Sequence, residues 1–450
     1  MQPLTVNDFP SLDFGDKRRG ERLVTMVNNI SSQPGSSIPR QNKSWYDTKA
    51  TYSFYSNKEV TTTALKNTLA AHGAAQLPAD TKKVFVAHDI CIASFNNLDA
   101  KGLGHTGNKK GKGIICFSSL AISELGTPLA LLHQHTWTRT NPGKAKQRKQ
   151  LPYHKKESYN WYRGVSKADE LLEADVHRIH LADREADIFD FVAARRCPNS
   201  DLLIRATHNR ALVEEGLLWD HVAAQPCAAV VELQIPDAKG RDTQTIKVEV
   251  RFTKVTIKRP KTSKSKCAEV EMTAIDIVQV SEKLPGQKEL IHWKLLTTVE
   301  VNSAVEAVQC VKWYCFRWLI ERFHFVLKSG VGIEELQFEN ATNLQKAVHV
   351  YSMAAMRIMQ MVYQSRATPE VSCEVVLTKE QWMVLYMLIH KNSKVPKKPP
   401  TLQQTVMWIG RLGGHLGRKQ DGHPGLKTVW LGYQRLCDAT NLYVIINPSQ

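Results

Sequence analysis

The chain has 450 residues, enough for two or three domains that each bury a core, and its 42% hydrophobic and 23% charged content is that of a folded globular protein. Sixty Lys and Arg against 43 Asp and Glu give a formal net charge of +17, which points to a polyanionic partner, nucleic acid first. A basic membrane-surface protein is the competing class, but no helix with a Lys-rich amphipathic face stands out, and no run approaches the ~18 apolar residues of a membrane span.

The opening segment MQPLTVNDFPSLDFGDKRRG carries acids and no apolar stretch, so no secretory signal is expected. Next, GDKRRGERLVTMVNNI sets Lys17, Arg18, Arg19 and Arg22 beside an apolar series, Leu23, Val24, Met26, Val27 and Ile30. SSQPGSSIP reads as a loop and the aromatic-rich SWYDTKATYSFYSN as a second helix. A helical pair this rich in Arg and Lys suits phosphate contacts, although a solvated face has the same composition.

From Thr81 the pattern turns to strands. KKVFVAHDICIASF ends near Asp89, and ICFSSLAI and TPLALLHQHTW continue a meander. LPYHKKESYNWYRGVSKADELL predicts a helix, and VHRIHLAD a strand ending at Asp183. His133-x-His135 and His177-x-x-His180 lack Cys partners at metal spacing and read as strand or packing histidines. The nine cysteines are scattered and never C-x-x-C, which reads as reduced intracellular thiols.

Residues 211–300 form a β-rich block. VVELQIP, TIKVEVRF, VTIKR and VEMTAIDIVQV alternate as strands, with turns at DAKGRD and KTSKSK and a basic hairpin carrying Lys254, Lys258, Arg259, Lys261, Lys264 and Lys266. Residues 303–328 predict one strong helix. After RATPEVS come a helix at 379–390, the basic SKVPKKPP, and a helical tail containing GRLGGHLGRKQDG.

Winding KWYCFRWLIERFHFVLKSG at ~100° per residue puts Tyr314, Arg317, Glu321 and Lys328 on a stripe about 60° wide, opposite Phe316, Leu319, Ile320, Phe323, Val326 and Leu327. A carboxylate flanked by Tyr, Arg and Lys suits a metal ligand beside phosphate oxygens; a salt-bridged solvated face would share the spacing. Asp89 and Asp183, at the ends of neighbouring strands, could converge with Glu321 into a cluster that needs cations to stay ionised. Two divalent ions about 3.5–4 Å apart, Mg2+ by preference with Mn2+ as a substitute, would serve phosphodiester cleavage there. No G-x-S-x-G elbow and no Walker-type glycine loop is present.

ADREAD, followed after the β-rich block by Y-x-x-R-x-x-x-E-x-x-x-x-x-x-K, resembles bacterial DDE transposases of the insertion-sequence-four family, Tn-five type. FGDKRRGERLV, TYSFYSN, LLHQHTWTR, HWKLLTT and GRLGG near the end extend the resemblance over almost the whole chain. It implies an α/β fold: an RNase H-like catalytic core at 63–365 with a β-rich insertion at about 211–300. A helical DNA-binding domain at 1–62 and a helical C-terminal dimerisation domain at 373–450 would flank it.

The same resemblance makes Asp89, Asp183 and Glu321 the catalytic, metal-binding triad. Tyr314, Arg317 and Lys328 become phosphate contacts, Trp293 the stacking tryptophan for a base leaving the duplex, and Arg205, His208 and Arg210 a basic edge. A buried strand-end Trp is the other reading of Trp293. The implied activity is cut-and-paste transposition by a homodimer on double-stranded terminal repeats and target DNA, in a bacterial cytoplasm at the nucleoid. An RNase H-fold nuclease and a catalytically inactive DNA-binding derivative are the alternatives. Two departures stand out: Ile-Cys follows Asp89 where the family has two threonines, and Tyr52-Ser53-Phe54 replaces Tyr-Arg-Phe.

Overall fold

The computed structural model describes all residues except 43, 108–110, 140–150, 237–242, 419–420 and 448–450, so the expected DAKGRD turn lies outside the described residues. Helices α1 (Lys17–Ser32), α2 (Trp45–Ser56) and α3 (Thr62–Ala75) come first, each started by a side-chain cap: Asp16, Ser44 and Thr61 accept the backbone N–H of Arg18, Asp47 and Ala64. The predicted meander follows as β1 (Lys83–Ser94), a short β2 (Gly104–His105), β3 (Lys112–Ile122) and β4 (Pro128–Trp137). Helix α4 (Tyr159–Asp169) crosses to β5 (His177–Ala182), which runs parallel to β1, and β6 (Ser200–Arg205) lies parallel to β5.

The β-rich block is no separate layer. After the short helix α5 (Leu218–Ala223) come β7 (Ala229–Pro236), β8 (Thr243–Lys258), β9 (Glu269–Gln279) and β10 (His292–Thr297). β10 pairs antiparallel with β6, so the hairpins prolong the same sheet in the order β2-β3-β1-β5-β6-β10-β9-β8-β7, with β4 on β3. TIKVEVRF and VTIKR, expected as two strands, form the single long β8, which β9 pairs without interruption from Val248 to Lys258.

The predicted helix at 303–328 is divided. α6 (Ala304–Cys315) gives way at Phe316 and Arg317 to bonds from residue 316 to 313 and from 317 to 314 before α7 (Trp318–Phe325), and a wider π turn spans Val326–Gly330. The tightening falls where Phe316 and Trp313 both lodge against Phe85 of β1. A tight turn rotates more per residue and a π turn less, so the phase of the helical wheel slips across this segment.

Helix α8 (Ala341–Ala367) runs through the core, and α9 (Lys379–His390), α10 (Leu402–Leu412) and α11 (Leu426–Ile446) complete the chain. Among the described residues no helix is long and apolar enough to cross a membrane. α10 and α11 meet backbone to backbone. A Cβ on Gly432 would sit 1.8 Å from the Ile409 carbonyl oxygen, and one on Gly413 1.8 Å from that of Thr428. Neither oxygen can retreat without breaking its helix. Gly432→Ala is therefore expected to cost about 3 kcal/mol, the upper end for overpacking, read as a lowered Tm.

Candidate active site

The parallel ladder between β1 and β5 ends at Ala87 opposite Leu181. Two residues further along each strand stand Asp89 and Asp183, so the register itself sets the two acids abreast where the strands part. Asp89 is not at the end of its strand, as expected from sequence. β1 runs on to Ser94, paired to β3 alone, because the apolar face it covers continues past the acid. Asp183 follows β5 directly and caps the turn Arg184–Ala186, its Oδ1 accepting the Glu185 N–H at 2.9 Å.

Glu321, on α7, reaches this edge from the helical side, with Arg317 Nη2 2.6 Å from its Oε1. The carboxyls feel burial and one another. Desolvation pushes Asp183 and Glu321 above the usual carboxylate range, and the neighbouring Asp89 pushes both further. Despite its burial, Arg317 is driven further up by Tyr314 and Glu321, so it stays protonated. Among the described residues no three His, Cys, Asp or Glu side chains are gathered closely enough to hold a metal ion as they stand.

The remaining residues of the predicted stripe separate. Tyr314 is buried, its ring edge-on to Trp293 at 5.5 Å and 5.9 Å from the Arg317 guanidinium, and desolvation raises its phenol to about 12. Lys328 pairs with Glu334 at 3.1 Å, and the same Glu334 oxygen accepts the Ser94 N–H at 2.8 Å, tying the lysine to the far end of β1. Arg205 ends β6 with its guanidinium 5.8 Å from the Trp293 ring centre, and His208 is exposed. Trp293 itself is half-buried on β10.

Arg210 does not face solvent. It is buried, with Nε 3.0 Å and Nη2 2.5 Å from Asp187 Oδ1, and the other Asp187 oxygen accepts the N–H groups of Thr207 and His208. Its guanidinium is spent on a buried acid, so it holds the 207–210 loop instead of meeting a phosphate, a correction to the expected basic edge.

At the N-terminus the four basic residues divide in the same way. Lys17 and Arg18 are exposed, close to Glu21 and Asp16. Arg19 donates to the Phe14 carbonyl, and Arg22 ties α1 to α2 through Asp47 at 3.1 Å.

Sequence reasoning passed over His324, whose Nδ1 lies 3.6 Å from Asp89 Oδ2, although its place three residues after Glu321 on one helix was a usable signal. It also passed over Glu334 and Trp219, which carry no motif. The two histidine pairs lie on strands, as expected, His133 and His135 on β4 and His177 and His180 on β5. His180 bonds His88 of β1 at 2.8 Å and Asp169, at the end of α4, at 3.0 Å, and His177 bonds Asp201.

Two family models match the chain. Residues 1–60 match a transposase DNA-binding domain, and residues 353–442 match the dimerisation domain of transposase Tn5. The two matches support a Tn5-type transposase. Asp89, Asp183 and Glu321 all lie between the two matched segments. Among solved structures, it resembles a piggyBac transposase synaptic complex with hairpin DNA, seen by cryo-EM, at 8% identity and a TM-score of 0.38, over 95% of this chain and 72% of that one.

Proposed function

We propose that this transposase moves DNA by cut-and-paste chemistry, with Asp89, Asp183 and Glu321 as its metal-binding triad in an RNase H-like core at 63–365. The observation that carries the reading is the register. A strand order β4-β3-β1-β5-β6, antiparallel then parallel, sets Asp89 and Asp183 side by side, with Glu321 on the helix behind them. The donor set is all carboxylate oxygen, and two of its members are raised by burial and by a like charge, which a hard cation relieves.

Mg2+, or Mn2+ in its place, would be held there and would supply an activated water and a stabilised leaving oxygen. The protein's own groups do the rest. Arg317, beside Glu321, and Lys328, on its Glu334 tether, neutralise phosphate oxygens of the DNA end, and Tyr314 backs Arg317. Trp293 offers an aromatic surface to a base leaving the duplex. The order of events is nicking to free a 3′-OH, attack on the opposite strand to give a hairpin, hairpin opening, and joining to target DNA.

Residues 1–62, with exposed Lys17 and Arg18, bind the terminal repeats, and 373–450 join two copies into a homodimer, in the bacterial cytoplasm at the nucleoid. An assay with pre-cleaved repeat ends and a target plasmid tests the reading. Joined products are expected with Mg2+ and none in EDTA; cutting without joining would make the protein a nuclease instead.

The acids also fix a pH dependence. A carboxyl whose folded pKa is raised binds its proton more tightly in the folded state. The stability it contributes is present at low pH and is lost as pH rises from the ordinary carboxylate range through its raised folded value. The Tm of wild type in EDTA should therefore fall relative to that of Asp183→Asn as pH rises above about 4. Mg2+ at a hundred times its Kd should return about 2.7 kcal/mol to wild type and far less to the variant. Equal responses of the two proteins to Mg2+ would remove Asp183 from the triad.

A further inference from the structure

Beside the acids, a cavity of about 220 Å³ opens between the end of β6, helix α5 and β10, and Arg184, Arg205, Thr207, Trp219, His292 and Lys294 line it. We propose that this cavity seats one unpaired nucleotide of the DNA strand, its base on Trp219 and its phosphate beside Arg184 and Lys294. The inference rests on the reading that the neighbouring acids act on DNA.

The aromatic wall is the first observation. Trp219 is 37% exposed, although Leu218 and Val222 of the same short helix are buried. It is nevertheless held in place. Its backbone N–H donates to Asn209 Oδ1 at 2.8 Å, and the Lys294 ammonium lies 5.7 Å from its ring centre. A partly exposed indole with an ammonium beside it suits an unpaired base and its phosphate, since stacking serves any base and guanidinium or ammonium groups meet the backbone.

Charge is the second observation. The acid that touches this group, Asp276, has a side chain only 2% exposed and is answered by both His292 and Lys294 at 2.9 Å. Arg184 adds a further cation, so the cavity is net positive beside a site that is net negative. Arg184 adjoins Asp183 in sequence, and Asp183 is among the charges that act on Arg205. A nucleotide seated here would therefore lie next to the cutting edge.

Position is the third. Side chains alternate along a strand, so Trp293 and Lys294 leave opposite faces of β10. One Trp293 neighbour is already the Arg205 guanidinium, and the ring packs edge-on to Tyr314. Trp219 stands on the Lys294 side and is partly exposed. The volume suits one planar base and not a base pair.

The test uses the full chain in EDTA, with an octamer of thymidine and an abasic octamer of equal charge as probes, read by fluorescence anisotropy. Wild type should prefer the thymidine strand by roughly five- to a hundredfold, the range expected for stacking one base. Trp219→Leu should lose that preference while binding the abasic strand as before, and Trp219→Phe should keep most of it. Thymidine preference that survives in Trp219→Leu, or that vanishes in Trp293→Leu instead, would overturn the proposal. Mg2+-dependent cleavage of repeat-bearing DNA by wild type is scored separately. Its absence with a Trp219-dependent preference would sink the transposition reading alone, and its presence without that preference would sink only this inference.

Discussion

Asp183→Asn is expected to lower Mg2+-dependent cleavage of repeat-bearing DNA by at least about a thousandfold while DNA binding stays within a few-fold of wild type. The substitution isolates charge from shape. An asparagine Oδ1 can still accept the Glu185 N–H at 2.9 Å, so the turn Arg184–Ala186 keeps its cap. What disappears is one of two carboxylates abreast at the end of the parallel ladder. Because burial and Asp89 already disfavour charge on Asp183, the neutral side chain should make the metal-free protein slightly more stable at neutral pH. Activity and stability then move in opposite directions, which a merely structural acid would not produce. Gel assays of nicking, gel shifts and Tm in EDTA read the three quantities, and cleavage near the wild-type rate would exclude Asp183 from catalysis.

Arg210→Met is expected to cost about 3–5 kcal/mol, lowering Tm by about 3–5 °C, because it strands the buried Asp187 carboxylate. Two backbone N–H groups, of Thr207 at 2.7 Å and His208 at 2.9 Å, remain on that acid, but no cation does. Pairing the change with Asp187→Leu should recover most of the loss, since removing both charges is far cheaper than removing one. If Arg210 instead met phosphate, the single variant would bind DNA less well with an unchanged Tm, and the double variant would bind no better. Thermal unfolding of the two variants beside their DNA affinities decides between the roles.

Both cases show how unevenly the segment HRIHLADREADIFDF could be read in advance. An apolar run followed by acids identified Asp183 as a strand-end carboxylate, and β5 ends directly before it. The acids that follow are visible in the segment, Asp187 among them. Its partner is not, for Arg210 lies 23 residues away and comes close only because β6 returns alongside β5. Asp89 was found for a reason that proved incomplete, since what distinguishes it is the end of one ladder and not the end of its strand.

The long helix shows the other limit. A wheel at a constant angle placed Tyr314 with Arg317, Glu321 and Lys328 on one stripe, and that model has no term for a tight turn or a π turn. Arg317 and Glu321 do meet, four residues apart on the turn that opens α7. Across the irregular turns, Tyr314 instead goes into the core against Trp293, and Lys328 pairs with Glu334.

By itself the sequence determined what depends on nearby residues: strand alternation, capped helix starts, the acid after β5, the Arg317–Glu321 pair, and a basic balance suited to phosphate. Tertiary structure alone decided which carboxylates stand abreast, which arginines are spent on buried acids, and that Trp219 faces a cationic cavity. Those are matters of strand register and long-range burial, where pairing partners lie tens of residues apart and a shift of one residue would turn every side chain to the other face.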